Sequence, residues 1–415
     1  METKAIYEAT EYKNVKEIIL NSAEKFNKKT AFTIKHKNKE NVEYEDISYT
    51  RLLQDIYNLG TGFFNIGLKG KRVAVIGKNR YEWVLTHLTN LFGGIVSVPL
   101  DKDLQLEELE NSLIRSKADA IVFDPKQAEF IKKIKENGKT NLTEYICMDK
   151  TEGYRYLYDL LEVGKEEINN GNKEFINYEI DENIMNILLF TSGTTSKSKG
   201  VMLSQKNIAS NVYALQCVED IRPTDTNIAF LPFHHVFGST CIVWTIACGL
   251  RNVFPDGLRY IKQNMCEYKV TVFVGVPILI ESMYKAIMKE IDKQGKTRKV
   301  KIATKISNFL LKFHIDIRRK LLLSFIETLN KDKVAPKLVE ILKLFVQGYS
   351  RKEIAEKLKY PQATIRSDIK RLGATIQNNK YYEKYISESI NINQIVTDDN
   401  TFYDIDSVLK DLFEL

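Results

Sequence analysis

The feature that most constrains this chain is a repeated alternation of short apolar runs with longer helical patterns. Residues 72–77, 94–99, 120–124 and 145–149 are strand-length stretches rich in Val, Ile, Ala and Phe. Between the first three lie an amphipathic run over residues 81–92 and a helical pattern carried by Leu104, Leu106, Leu109 and Leu113. Continuous apolar strands separated by helices predict an α/β fold whose mostly parallel sheet is covered on both faces. After a polar connector over residues 169–183 the pattern resumes, with strands expected at 186–190, 227–231 and 270–274.

At 415 residues the chain has room for two or three domains of roughly 150 residues each. A hydrophobic share of 44% with 10% aromatics is that of a globular protein and excludes a disordered chain. The five cysteines are odd in number and form no C-x-x-C pair, which excludes a disulfide framework and a thiolate zinc site. No metal-ligating residue is nominated. Met1-Glu2-Thr3-Lys4 shows no secretory signal, so a cytoplasmic location is expected. Residues 226–250 carry no charged side chain, yet Asn227, Pro232, His234 and His235 make the first half too polar for a membrane span. A buried strand, a loop and a buried helix are expected there.

Charge divides the rest. Residues 331–380 hold twelve basic and five acidic side chains, and residues 381–415 hold eight acidic and two basic. Three units are therefore expected: an α/β body over 1–330, a basic module over 331–380 and an acidic tail over 381–415.

The sharpest local signal is Leu188-Leu189-Phe190-Thr191-Ser192-Gly193-Thr194-Thr195-Ser196-Lys197-Ser198-Lys199-Gly200-Val201. An apolar strand stops in a loop of hydroxyl residues, glycines and lysines. Small residues let an anion approach backbone N–H groups, hydroxyls add donors and lysine adds positive charge. The Walker pattern is absent, and an ordinary Ser/Thr/Gly surface loop is the competing reading.

This segment resembles the phosphate-binding signature of the adenylate-forming (AMP-binding) superfamily, Thr-Ser-Gly-Thr-Thr-Gly-x-Pro-Lys-Gly. Thr191, Ser192, Gly193, Thr194, Thr195, Lys199 and Gly200 match, while Ser196 replaces a Gly and Ser198 a Pro. Asn79-Arg80-Tyr81-Glu82-Trp83, Val98-Pro99-Leu100-Asp101, Leu231-Pro232-Phe233-His234-His235 and Val276-Pro277 extend the likeness to long-chain fatty-acid–CoA ligases over about residues 10–325. The resemblance implies ATP/AMP, Mg2+ and coenzyme A as cofactors and a fatty acid as substrate. The matched loop residues would cradle the ATP phosphates, and His234, His235, Gly275 and Pro277 would line the substrate pocket. Taken alone, a His pair beside Pro232 is more often a packed loop feature than a site; the resemblance reverses that for His235. Ser204 and Lys206 read as helix-start residues.

The family's later motifs are a Tyr-Gly-x-Thr-Glu segment, a Thr-Gly-Asp and a lid lysine. None is located after Arg318-Arg319-Lys320, and Val346-Gln347-Gly348-Tyr349 is only a faint likeness. The expectation is an incomplete N-terminal body that is inactive alone and exposes a sheet edge. Either the C-terminal module covers that edge, a partner does, or the protein is poorly soluble; a homodimer or a complementing protein is the partner expected.

The basic module has its own pattern. Leu338, Ile341, Leu342, Phe345 and Val346 are helically spaced, and Ser350 with Glu353 suits a capping box opening a helix at Arg351–Leu358. Tyr360-Pro361 makes a turn before a third helix over 362–372. That helix displays Gln362, Thr364, Arg366, Ser367, Lys370 and Arg371, chemistry suited to base edges and phosphates. The module resembles a LuxR-type helix-turn-helix, which implies DNA as a partner; winged regulators of the DeoR kind fit the third helix equally, and a basic packing module is the bland alternative. Three readings follow: a ligase-like protein, a DNA-binding regulator whose N-terminal half senses a nucleotide or acyl ligand, or a decayed or recombined gene product without ligase turnover.

Overall fold

The computed structural model describes residues 6–37, 41–191, 199–298, 300–301, 337, 340, 341, 344, 351–361 and 364. They fall into two units, Met1–Pro277 and Ile278–Leu415.

In the first unit, α1 (Val15–Lys25) leads into the hairpin β1 (Thr30–Lys37) and β2 (Val42–Ser48), followed by α2 (Tyr49–Asn65). Asn14 caps α1 by accepting from Glu17 N–H, and Ser48 caps α2 through Arg51 N–H. Alternation then sets in with β3 (Arg72–Ile76), α3 (Tyr81–Phe92), β4 (Val96–Leu100), α4 (Leu106–Ser116) and β5 (Ala120–Phe123). It continues through α5 (Ala128–Asn137), β6 (Glu144–Cys147), β7 (Arg155–Tyr156) and α6 (Leu157–Asn169). After the connector come β8 (Met185–Thr191), β9 (Lys199–Ser204) and α7 (Gln205–Val218). The unit closes with β10 (Thr226–Ile228), α8 (Val236–Ala247), β11 (Arg251–Val253) and α9 (Ile261–Tyr268).

Two sheets result. The larger has the order β7-β6-β5-β3-β4-β8-β9, parallel throughout except for the antiparallel β8–β9 hairpin. The smaller has the order β10-β11-β1-β2, with only β1–β2 antiparallel. The mostly parallel α/β architecture is thus the one expected.

The run over 81–92 is a helix at the expected bounds, but it is not amphipathic. Every residue of α3 is buried, because both sheets supply its walls. Tyr81 packs on Phe32 of β1 at 5.6 Å between ring centroids, and Trp83 on Phe233 at 5.2 Å. Its polar groups are largely satisfied internally: Thr86 Oγ1 donates to Glu82 O and His87 Nδ1 pairs with Ser97 Oγ of β4 at 2.8 Å. Burial of this kind contributes about 1.5–3 kcal/mol per large apolar side chain.

Helices α2 and α6 cross at backbone contact. A Cβ added to Gly164 would lie 1.8 Å from Asn58 O, and one added to Gly62 would lie 2.2 Å from Leu160 O. Glycine at both positions is what permits that crossing.

Two expected strands are shorter than their apolar runs. The 227–231 run pairs only as far as Ile228, and the 270–274 run contributes a single bridge, Val272 to Asn227. Pro232 has no N–H to continue a ladder, and the carbonyls of Ala229 and Leu231 are taken by Asn79 instead. The 226–250 stretch is the expected strand, loop and buried helix. No helix among the described residues is long and apolar enough to cross a membrane.

Helix α10 (Pro277–Lys293) begins at the last residue of the first unit, and in the second unit α11 spans Arg351–Leu358, the bounds expected from the sequence. Ile354 and Ala355 of α11 are buried in a small cluster with Ile341 and Leu344.

Candidate functional site

Parallel strands point their carboxyl ends one way, and ligands of such sheets gather in the crevices outside those ends. Here that edge carries the turns after β3 (Gly77 to Arg80), β4 (Asp101 onward), β5 (Asp124) and β6 (Asp149), together with the end of β8 at Thr191. Ser97 of β4 pairs with Ile187 of β8, and continuing that register sets Asp101 level with Thr191 one strand away.

The hydroxyl-rich loop is the connection of the β8–β9 hairpin. Thr191 faces Lys199 and Phe190 faces Gly200 across it. Ser192, Gly193, Thr194 and Thr195 lie outside the described residues; Lys199 and Gly200 are exposed on β9. Among the described residues β9 is the last strand of its sheet, with Met202 69% exposed.

The base of this hairpin is fixed by buried amides that the sequence reading did not single out. Asn186 Nδ2 donates to Ile95 O at 2.8 Å, and Gln205 Nε2 donates to Asn186 Oδ1 and Leu91 O at 2.7 and 2.6 Å. Gln205 Oε1 accepts from Val15 N–H at 3.0 Å. Ser204 caps α7 in a reciprocal box with Asn207, and Lys206 stands in its first turn.

The second cluster surrounds the histidines. His234 is half-buried, and its Nε2 lies 3.4 Å from Asp101 Oδ2, within ion-pair reach but without hydrogen-bond alignment. Burial pushes the His234 pKa down; Asp101 opposes that, and the neighbouring His235 adds to it. The two imidazoles are 4.2 Å apart between centroids. His235 is exposed and occupies the N-cap position of α8, where its carbonyl accepts from Ser239 N–H. Beneath the loop is a cavity of about 10 Å³, lined by Ala229, Phe230, Phe233, Gly238, Cys241 and Val274 among others, room for about one water. Gly275 and Pro277 follow Val274 in the chain, Gly275 half-buried and Pro277 exposed. Of the residues singled out as a substrate pocket, none forms this wall; their neighbours do.

The turn after β3 holds the loop. Asn79 Nδ2 donates to Ala229 O at 2.9 Å and to Leu231 O at 2.7 Å. Arg80 gathers three carboxylates: Glu82 at 2.6 Å, Asp149 through both oxygens at 2.7 and 2.8 Å, and Asp124 at 3.5 Å. Burial works against the guanidinium's charge, but the bonds from Asp149 and Glu82 win and raise its pKa. The hydrogen bond from Arg80 holds Asp149 below the ordinary carboxylate range. Among the described residues no group of three or more His, Cys, Asp or Glu is placed to hold a metal ion.

The model of the AMP-binding enzyme family matches residues 20–348. The chain belongs to the AMP-binding enzyme family. The match runs past the end expected near residue 325 and takes in the first helical pattern of the basic module. A chloroplast long-chain-fatty-acid–[acyl-carrier-protein] ligase of Arabidopsis thaliana is 26% identical over 71% of this chain and 42% of its own length. Long-chain-fatty-acid–CoA ligase 5 of Rattus norvegicus is 29% identical over 61% of this chain and 39% of its own length. The chain therefore spans about two fifths of the length of these two relatives. A solved long-chain-fatty-acid–CoA ligase of Archaeoglobus fulgidus superposes with a TM-score of 0.58 at 22% identity, covering 68% of this chain and 55% of that one. The likeness at that identity is one of fold.

Proposed function

We propose that this chain is the nucleotide- and acyl-binding body of an acyl-activating enzyme of the acid–thiol ligase lineage, taking long-chain fatty acids. The observation that carries the reading is the placement of Asp101 and the His234-His235 loop level with the end of β8, where the hydroxyl-rich connection begins. On this reading Thr191 to Gly200 hold the ATP phosphates through backbone N–H groups, hydroxyls and Lys199. A carboxylate oxygen attacks the α-phosphorus, forming acyl-AMP and releasing pyrophosphate. A thiol then takes the acyl group, and AMP leaves. The thiol is that of coenzyme A or an acyl carrier protein, since the two relatives named above differ in this respect. Magnesium would travel on the triphosphate oxygens. Neutral His234, kept so by burial, suits a wall against which an apolar chain and an uncharged mixed anhydride can lie.

The Tyr-Gly-x-Thr-Glu segment, the Thr-Gly-Asp and the lid lysine are not found in this sequence. Stabilisation of developing charge by such groups is worth about 10²–10³ each in rate. Full turnover is therefore not expected of the isolated chain, and fatty-acid-dependent ATP–pyrophosphate exchange should be absent. Calorimetric titration of ATP tests the binding step. An affinity nearer about 1 mM than 1 μM is expected, abolished by Thr194→Ala with Lys199→Ala; unchanged affinity in the double variant would reduce the loop to a surface turn.

A second reading, a DNA-binding regulator, is favoured by one observation: α11 forms at the bounds expected for the middle helix of a helix-turn-helix, with Ile354 and Ala355 buried against Ile341 and Leu344. Thr364 is helical; Gln362, Arg366, Ser367, Lys370 and Arg371 lie outside the described residues. If about five phosphates are neutralised, log K should fall with log salt at a slope of about −4 to −5. Absence of salt-dependent DNA binding by the full chain at about 50 mM salt would remove this reading.

A further inference from the structure

We propose that Asn79 is a positioning residue for the His234-His235 loop, and that Arg80 in turn fixes Asn79. The inference rests on the reading that this loop faces the acyl-adenylate, and it names the device that sets the loop's position.

The smaller sheet lets go of this segment early. β10 ends at Ile228, and after Ala229 N–H bonds to Val253 O the chain leaves the ladder. The carbonyls of Ala229 and Leu231 then have no strand partner, although both residues are buried. Asn79, from the edge of the larger sheet, supplies both missing donors from one amide. Two hydrogen bonds to alternate carbonyls are what an adjoining strand would offer, so the side chain substitutes for a strand over one repeat.

The amide can do this only if its own turn is rigid. Gly77 is packed so tightly that an added Cβ would fall 2.9 Å from Asp124 Cβ. Arg80 occupies the N-cap position of α3 but makes no capping bond. Its guanidinium instead binds Glu82, Asp124 and Asp149, which stand on α3 and after β5 and β6. In the first turn of α3, Trp83 lies against Phe233. Asn79 thus grips the loop before Pro232 and Trp83 grips it after, and His234 emerges beside Asp101. Asn79 touches no reacting group on this account; it acts through the loop.

The test uses the full chain and two readouts. Asn79→Asp keeps the shape and removes both donors; Asn79→Ser keeps one. In the first readout, the imidazole resonances of the five histidines are assigned by single His→Gln replacements and titrated. Asn79→Asp should shift the His234 resonance and its midpoint while the core His87 signal stays in place, and Asn79→Ser should give a smaller shift. An unmoved His234 in both variants overturns the proposal. Loss of the His87 signal in Asn79→Asp marks unfolding, and Asn79→Ser then decides. The second readout compares ATP with an alkyl ester of AMP, a stable stand-in for the acyl-adenylate. Asn79→Asp should weaken the alkyl-AMP about tenfold and ATP less than twofold; equal weakening of both would make Asn79 a general structural residue and overturn the positioning role. If the unaltered chain binds neither ligand, the proposed function fails, and the His234 resonance alone judges Asn79.

Discussion

His234 Nε2 sits 3.4 Å from Asp101 Oδ2, joining the loop after β10 to the turn after β4. The carboxylate favours the charged imidazole, while burial and His235 disfavour it, and burial prevails. Asp101→Asn removes the one nearby charge that raises the His234 pKa most. The midpoint of His234, followed by its ring resonances, should therefore fall further. A midpoint that stays or rises would mean that Asp101 is not felt across the gap.

Arg80 carries a second prediction. Arg80→Met leaves Glu82, Asp124 and Asp149 without their shared cation. Breaking a buried pair costs about 3–5 kcal/mol, but the Asp149 side chain is 47% exposed, so about 2–3 kcal/mol is the expected loss in urea unfolding at pH 7. The sign with pH follows from Asp149, whose folded pKa is depressed. Its contribution is present above the unfolded carboxylate value of about 3.9 and disappears as pH falls through the folded one. The gap between wild type and Arg80→Met should narrow below about pH 4.

These two residues show where sequence reading reaches and where it stops. Tyr81–Phe92 was legible from local apolar spacing, and Arg351–Leu358 from spacing together with the Ser350 and Glu353 capping pattern in the sequence. The larger sheet was legible because strands buried on both faces must be apolar throughout. The hairpin β1–β2 and the short β11 were not, since Arg251–Val253 has no apolar run and the exposed Val42–Ser48 carries three charged side chains. The all-round burial of α3 was also hidden, because Glu82, His87 and Asn90 look like a solvent face until both sheets close on them. At the site, the phosphate loop and the His pair were marked by composition and motif. Asn186, Gln205 and Asn79 act through single side-chain amides on backbone groups more than ninety residues away, and no local pattern announces that.

Gly164 gives a third prediction. A methyl group there would overlap Asn58 O of α2 and approach Gly62 N at 2.7 Å, and neither is a flexible side chain that can swing aside. Alanine raises helix propensity by about 1 kcal/mol relative to glycine, so the intrinsic effect is stabilising. Overpacking at a backbone contact typically costs about 1–3 kcal/mol and here should exceed that gain. Gly164→Ala should lower the melting temperature, and a rise would mean that α2 and α6 separate without penalty.

The last prediction concerns His87, which is fully enclosed by α3 and β4, with Nδ1 on Ser97 Oγ and the ring 5.2 Å from Trp83. Burial pushes its pKa down to about 4, against about 6.5 in an unfolded chain. Because the folded value is the lower one, the unfolded state binds the extra proton first. Stability is full above about pH 6.5 and declines as pH falls toward the folded value. A difference of roughly 2.5 pH units corresponds to about 3 kcal/mol over that window. Asp149, held below the ordinary carboxylate range by Arg80, takes no part in the loss between about pH 6.5 and 4.5. His87→Gln keeps a hydrogen-bonding group for Ser97 and cannot take the proton. Denaturant midpoints measured across this range should therefore decline less steeply in His87→Gln than in the wild type, whatever the variant costs at pH 7. Equal slopes would mean that His87 is protonated as readily in the folded chain as in water, which its enclosure forbids.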